Sequence, residues 1–116
     1  MSQSEHALQI AIAEYLGWVL HPPVWWTGID HAAKLSPRYG AQRKARGVKR
    51  GIADFLIIAP GPNILWIEVK RGDGRLTPEQ RDFAAAMHAV NAWCVLCRSV
   101  EEVGKALDYV RVARKT

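Results

Sequence analysis

Asp54 stands near the start of one apolar run, Gly51-Ile52-Ala53-Asp54-Phe55-Leu56-Ile57-Ile58-Ala59, while Glu68 and Lys70 close the next, Ile64-Leu65-Trp66-Ile67-Glu68-Val69-Lys70. Two carboxylates and an ammonium gathered at one spot make a seat for a hard divalent cation beside a positive charge, a combination suited to hydrolysis of a phosphodiester. Whether they meet depends on the elements that carry them. Both runs are short, rich in β-branched and aromatic residues and bounded by Gly or Pro, so both read as strands. The link Pro60-Gly61-Pro62-Asn63 has turn chemistry, and the two runs are expected to form a hairpin. Residues two apart on a strand share a face, so Glu68 and Lys70 point together and Val69 points away. Asp54 joins them if its strand opens onto the same face.

Each residue also has an ordinary reading. A Glu-x-Lys at a strand end is commonly an exposed ion pair worth about 1 kcal/mol or less, and an aspartate shortly after Gly51 fits a strand-initial turn. Glu68 is set apart by what precedes it. The continuous apolar run 64–67 suits a strand covered on both faces, where a carboxylate costs several kcal/mol unless a cation or hydrogen-bond donors satisfy it. A buried pair with Lys70 alone is one solution.

The 116 residues bound a single domain, 1–116, with 49% apolar content and a net charge of +5. The positive excess is local: Lys34, Arg38, Arg43, Lys44, Arg46, Lys49 and Arg50 follow one another between His31 and Ala53 with no acidic residue among them. A one-signed stretch of this kind attracts polyanions, nucleic acid above all, although it also fits a solvated loop. Cys94 and Cys97 have C-x-x-C spacing but lack a second ligand pair and lie in an apolar run where residues three apart face opposite sides, so they read as reduced structural residues. The N-terminus is polar, Glu14 interrupts the first helix, and no apolar span approaches membrane length; no membrane contact and a reducing cytoplasm are expected. Asp30-His31 invites comparison with histidine-metal nucleases, but the further His or Asn of that motif is missing and His31 is not read as a ligand.

Around this hairpin the periodicity predicts a helix over 4–18 from Leu8, Ile12, Tyr15 and Leu16, ending at Gly17, then a short strand at 24–27 and a short helix within 37–46 that stops at Gly47. After the hairpin, Thr77-Pro78-Glu79-Gln80 carries helix-start chemistry, with Thr77 as N-cap and Gln80 completing a capping box. Phe83, Met87 and Val90 are expected to be the buried stripe of that helix. A third central strand is expected at 93–96. Ser99-Val100-Glu101-Glu102 opens a last helix with another capping box and the apolar stripe Val103, Leu107, Val110. Trp25 and Trp26 are adjacent and cannot both face one core; one is left for base stacking or a subunit contact.

Taken together, Gly51-x-x-Asp54, an apolar strand, Glu68-x-Lys70 and then Leu76-Thr77-Pro78-x-Gln80 resemble the PD-(D/E)xK nuclease superfamily, and more narrowly its VRR-NUC branch, the virus-type replication and repair nucleases. The match runs from about residue 47 to 90, and Glu5-x-x-x-Gln9 with Tyr15-Leu16 is similar to that branch's opening helix. Ala53 replaces the usual proline before the aspartate, a change that touches backbone shape and no ligand. The resemblance implies an α/β fold with a restriction-endonuclease-like core, a mixed central sheet flanked by helices in an αβββαβ-type order. It further implies that Asp54, Glu68 and the backbone carbonyl of Val69 hold Mg²⁺ or Mn²⁺, and that Lys70 orients the attacking water. Glu5 is either an outer metal ligand or only a helix cap, since Ser2-x-x-Glu5 fits a capping box. Gln80 likewise caps its helix, sits beside Lys70, or does both.

A metal-dependent DNA endonuclease is therefore expected, acting on branched DNA such as four-way junctions, as a homodimer in a bacterial or phage-infected cell. Its basic segment is expected to grip phosphates without reading bases. The alternative from another class is a non-catalytic nucleic-acid-binding module in which Glu68 and Lys70 form a structural pair. A sequence-specific restriction enzyme is a third option, weakened by the lack of a recognition domain.

Overall fold

In the computed structural model, residues 4–31 and 37–115 are described, the side chains of 37–39 excepted. The order is α1 (Glu5–Val19), β1 (Trp25–Gly28), α2 (Pro37–Ala45), β2 (Phe55–Ala59), β3 (Asn63–Val69), α3 (Pro78–Ala89), β4 (Trp93–Cys97) and α4 (Val100–Tyr109). The strands lie side by side in chain order, β1, β2 and β3 antiparallel and β4 parallel to β3. The expected α/β architecture, a mixed sheet flanked by helices, is what forms. The parallel step from β3 to β4 needs a crossover, and α3 supplies it.

Period-two alternation decides which face is covered. Phe55, Ile57 and Ala59 of β2 and Leu65, Ile67 and Val69 of β3 are buried together with Leu8, Ile12, Leu16 and Val19 of α1 and Val103, Ala106, Leu107 and Val110 of α4. The stripe expected for the last helix is therefore the buried one. The opposite face carries Leu56, Ile58, Ile64, Trp66 and Glu68, and α3 covers only part of it, with Phe83 meeting Trp66 edge-on at 5.0 Å. Trp25 and Ile58, cross-strand partners on that face, remain 56% and 37% exposed. Its neighbour Trp26 turns inward toward Phe55, at 6.3 Å between rings.

Several expectations need correction. Helix α1 does not stop at Gly17 but runs to Val19, because Val19 enters the core and Leu20 N–H still reaches the carbonyl of Leu16. The run 51–59 is strand only from Phe55; Gly51 has φ +79 and turns the chain, so Asp54 stands just ahead of the strand. Helix α3 buries none of its residues, and Val90 is 69% exposed, because α3 lies on the outer face rather than over the core. Strand β4 is an edge strand, not a central one. At α4, Ser99 caps as expected, accepting from Glu102 N–H, but Glu102 Oε1 accepts from Arg98 N–H instead of closing a box onto Ser99. Among the described residues no helix is long and apolar enough to cross a membrane.

Candidate functional site

The hairpin register sets Phe55 opposite Ile67, and there the regular ladder ends. One residue earlier, Asp54 N–H donates to the carbonyl of Ile67 at 2.9 Å, while Val69 N–H donates to Asp54 Oδ2 at 2.7 Å. The Asp54 carboxylate thus occupies a place that a strand carbonyl would otherwise fill. Its main-chain oxygen accepts from Ile29 N–H, so the residue is held from both neighbouring strands. Asp54 Oδ1 faces Gln9 Nε2 at 3.3 Å and His31 Nε2 at 3.4 Å.

Glu68 comes from the adjoining strand end and is 4% exposed; Asp54 is 8% exposed. Glu5 arrives from the first turn of α1, where Ser4 is the N-cap, its hydroxyl accepting from Ala7 N–H. Ser2, the partner in the expected capping box with Glu5, lies outside the described residues; with Ser4 as N-cap, Glu5 is the first helical residue. One carboxylate oxygen from each of Glu5, Asp54 and Glu68 lies within 4.8 Å of the others. Three acids so close and mostly buried repel one another. The Glu68 carboxyl is accordingly pushed up to about 9, first by burial, then by its hydrogen bond to Asp54 and the Asp54 charge; Glu5 adds to the rise and the Lys70 charge opposes it. Lys70 is near enough to act through its field but makes no direct ion pair with Glu68. A set of hard oxygen donors holding excess negative charge fits a hard divalent cation, which would draw the Glu68 proton off.

The remaining sequence candidates fall into four groups. Gln80 closes its capping box, accepting from Thr77 N–H at 2.9 Å while Thr77 Oγ1 accepts from Gln80 N–H at 3.2 Å. A methyl group at Gly51 would lie 2.4 Å from the carbonyl of Glu79, so the chain leading to Asp54 is pressed against that same first turn of α3. Arg43, Lys44, Lys49 and Arg50 line a cleft of about 1150 Å³ that His31 and Gly51 also border. Arg46 is exposed just after α2. Lys34 lies outside the described residues, as does the side chain of Arg38. His31 joins the cleft to the acids, touching Asp54 while lining the basic wall. A second hollow, of about 470 Å³, lies at the far end of β2 beside Ala59 and away from the acids.

Two neighbours of the acids were named in the sequence without this role. Gln9 stood in the opening-helix motif, and four residues after Glu5 it shares that helix face. His31 was set aside as a ligand; the path of the chain after β1 brings it to Asp54. The thiols behave as expected of structural cysteines: both are free, and burial first, then nearby Glu68 and Glu102 respectively, raise Cys94 to about 11 and Cys97 to about 12.

No protein-family model matches the chain, and no curated protein matches it. A solved structure described as a "VRR_NUC domain protein" superposes with a TM-score of 0.73 over 95% of this chain and 89% of that one, at 19% sequence identity. At that identity the likeness is one of fold, and the fold of this chain is the VRR-NUC, restriction-endonuclease-like α/β arrangement.

Proposed function

We propose that the chain is a metal-dependent DNA endonuclease whose single domain spans residues 1–116. The observation that carries this reading is the approach of Glu5, Asp54 and Glu68 to within 4.8 Å of one another beside a cleft walled by Arg43, Lys44, Lys49 and Arg50. Asp54, Glu68, the carbonyl of Val69 and, as the outermost donor, Glu5 would hold Mg²⁺ or Mn²⁺. Bound there, such a cation supplies Lewis acidity and offsets charge on the phosphate and on the departing oxygen.

The chain's own groups do the rest. Lys70 orients the attacking water and neutralises charge building on the phosphorus centre. Gln80 fixes the start of α3 beside that amine. Lys34, Arg38, Arg43, Lys44, Arg46, Lys49 and Arg50 hold the sugar-phosphate backbone, which gives grip without base preference. A preference for branched DNA such as four-way junctions, and action as a homodimer that cuts two strands at related points, rest on the family likeness of the sequence motifs and on the nicking logic of a two-fold enzyme. The free thiols suit the reducing cytoplasm of a bacterial or phage-infected cell.

A non-catalytic binding module would use Glu68 and Lys70 as a structural pair, and the lack of an ion pair within 4.0 Å between them favours the catalytic reading. Cleavage of four-way, flap and linear DNA with Mg²⁺ or Mn²⁺ decides the matter. The nuclease reading expects cutting that Glu68→Ala or Lys70→Ala abolishes with binding kept. Binding without cutting on any substrate with either metal would establish the binding module instead.

A further inference from the structure

Lys70 sits immediately past the end of β3, so no ladder on its far side fixes its side chain. Two groups at the end of β4 take over that task. The carbonyl of Cys97 accepts from Lys70 N–H at 3.2 Å, and the next residue, Arg98, reaches back across the sheet end to the loop that follows Lys70. Its Nη1 donates to the carbonyls of Gly72 and Gly74, both at 2.8 Å. Gly74 N–H in turn donates to the carbonyl of Arg71 at 3.1 Å, which closes the loop into a tight turn around Gly72 at φ +56.

This turn lies over the Lys70 stem. A methyl group placed on Gly74 would stand 3.6 Å from Lys70 Cβ and 3.7 Å from Cδ, ordinary contact distances, and 3.2 Å from the Arg71 carbonyl. The loop backbone at Gly74 therefore lies alongside the Lys70 stem, with room for about one methyl group between them. Arg98 is itself held, because its own N–H donates to Glu102 Oε1 at 2.7 Å in the first turn of α4. A guanidinium that bonds two carbonyls from a fixed backbone is an exacting clamp on the loop that carries them.

We infer that Arg98 is a positioning residue for Lys70: by holding the Gly72 and Gly74 carbonyls it sets where the Lys70 amine stands relative to Asp54 and Glu68. The inference rests on the nuclease reading for its effect on rate, but not for its effect on the lysine's surroundings. An amine displaced by about 1 Å from its working place loses on the order of tenfold to hundredfold in rate.

The test compares wild type with Arg98→Met, which keeps the stem and removes the donors, and Arg98→Lys, which restores donors without the planar fork. Arg98→Met should lower kcat at least tenfold while KM for DNA and Mn²⁺ affinity stay within twofold, and Arg98→Lys should fall between. Unchanged kcat in folded Arg98→Met, or a parallel loss of DNA and Mn²⁺ binding, overturns the inference. Should Arg98→Met fail to fold, Arg98→Leu takes its place, and an undiminished kcat in that variant overturns the inference. The side-chain carbon shifts of Lys70, recorded by NMR without DNA or metal, should move in Arg98→Met. If the wild type cuts nothing, the nuclease reading fails by itself, and these shifts still decide the placement: static shifts overturn it, moved shifts sustain it.

Discussion

Val69 donates its main-chain N–H to Asp54 Oδ2 at 2.7 Å, so the strand that delivers Glu68 also aims the second acid. With that bond made, and with Gln9 and His31 facing Oδ1, the carboxylate has little freedom to turn away from Glu68 and Glu5. Asp54→Asn keeps the shape and loses the charge. It should weaken Mn²⁺ binding more than about a hundredfold, beyond what loss of an outer-sphere partner costs, and it should make Glu68 more acidic by removing its carboxylate neighbour. Calorimetry of Mn²⁺ binding and carboxyl NMR titration of Glu68 read the two effects.

Glu68 also predicts how stability follows pH. Its pKa rises from an ordinary 4.5 in the unfolded chain to about 9 in the folded protein. Between those values the folded state keeps a proton that the unfolded state has lost, so the contribution is full below about 4.5 and fades as pH climbs through about 9. In chelator the melting temperature should fall across that window. Mg²⁺ or Mn²⁺ competes with the same proton, so its apparent affinity should increase with pH over the same range. A melting temperature insensitive to pH in chelator would contradict the assignment.

Gly51 is required twice over, by φ +79 and by the Glu79 carbonyl, which leaves no room for a β-carbon. Gly51→Ala must move either α3 or the approach to Asp54. A cost of about 1–3 kcal/mol is expected from the backbone conformation alone, with the steric clash added, and thermal unfolding will show it. Gly47, also at positive φ but with open space around it, should tolerate alanine far better.

The basic cleft predicts salt dependence. Removing Arg43, Lys44, Lys49 or Arg50 singly should lower DNA affinity to a similar degree on every sequence and reduce the slope of log affinity against log salt by about 1 each. Fluorescence anisotropy at several salt concentrations measures both. A mutant that changes sequence preference while leaving the slope intact would mean base contact instead.

Much of this was legible in the chain. The hairpin, the caps at Thr77 and Ser99 and the stripe Val103, Leu107, Val110 follow from local chemistry, and local chemistry is what a sequence displays. The pairing of Glu68 with Lys70 on one face followed from period two, whereas the approach of Asp54 was legible only as a condition on how its strand begins. What escaped depended on which side of the sheet a helix chose. Phe83, Met87 and Val90 have the spacing of a core stripe, but α1 and α4 had already filled the core face, leaving α3 the outer one with its residues partly wet. His31 was set aside as a ligand, and its contact with Asp54 stayed out of view because the return path of the chain makes it, which no periodicity encodes.

The strands neighbour one another in space in the same order as they are translated, so each can pair with the one made before it. Asp54 and Glu68 are brought together by the hairpin alone, whereas Glu5 completes the trio only when the amino-terminal helix docks on the finished core. An ion that needs all three carboxylates thus recognises the mature protein and no earlier folding species, and its binding free energy accrues wholly to the native state.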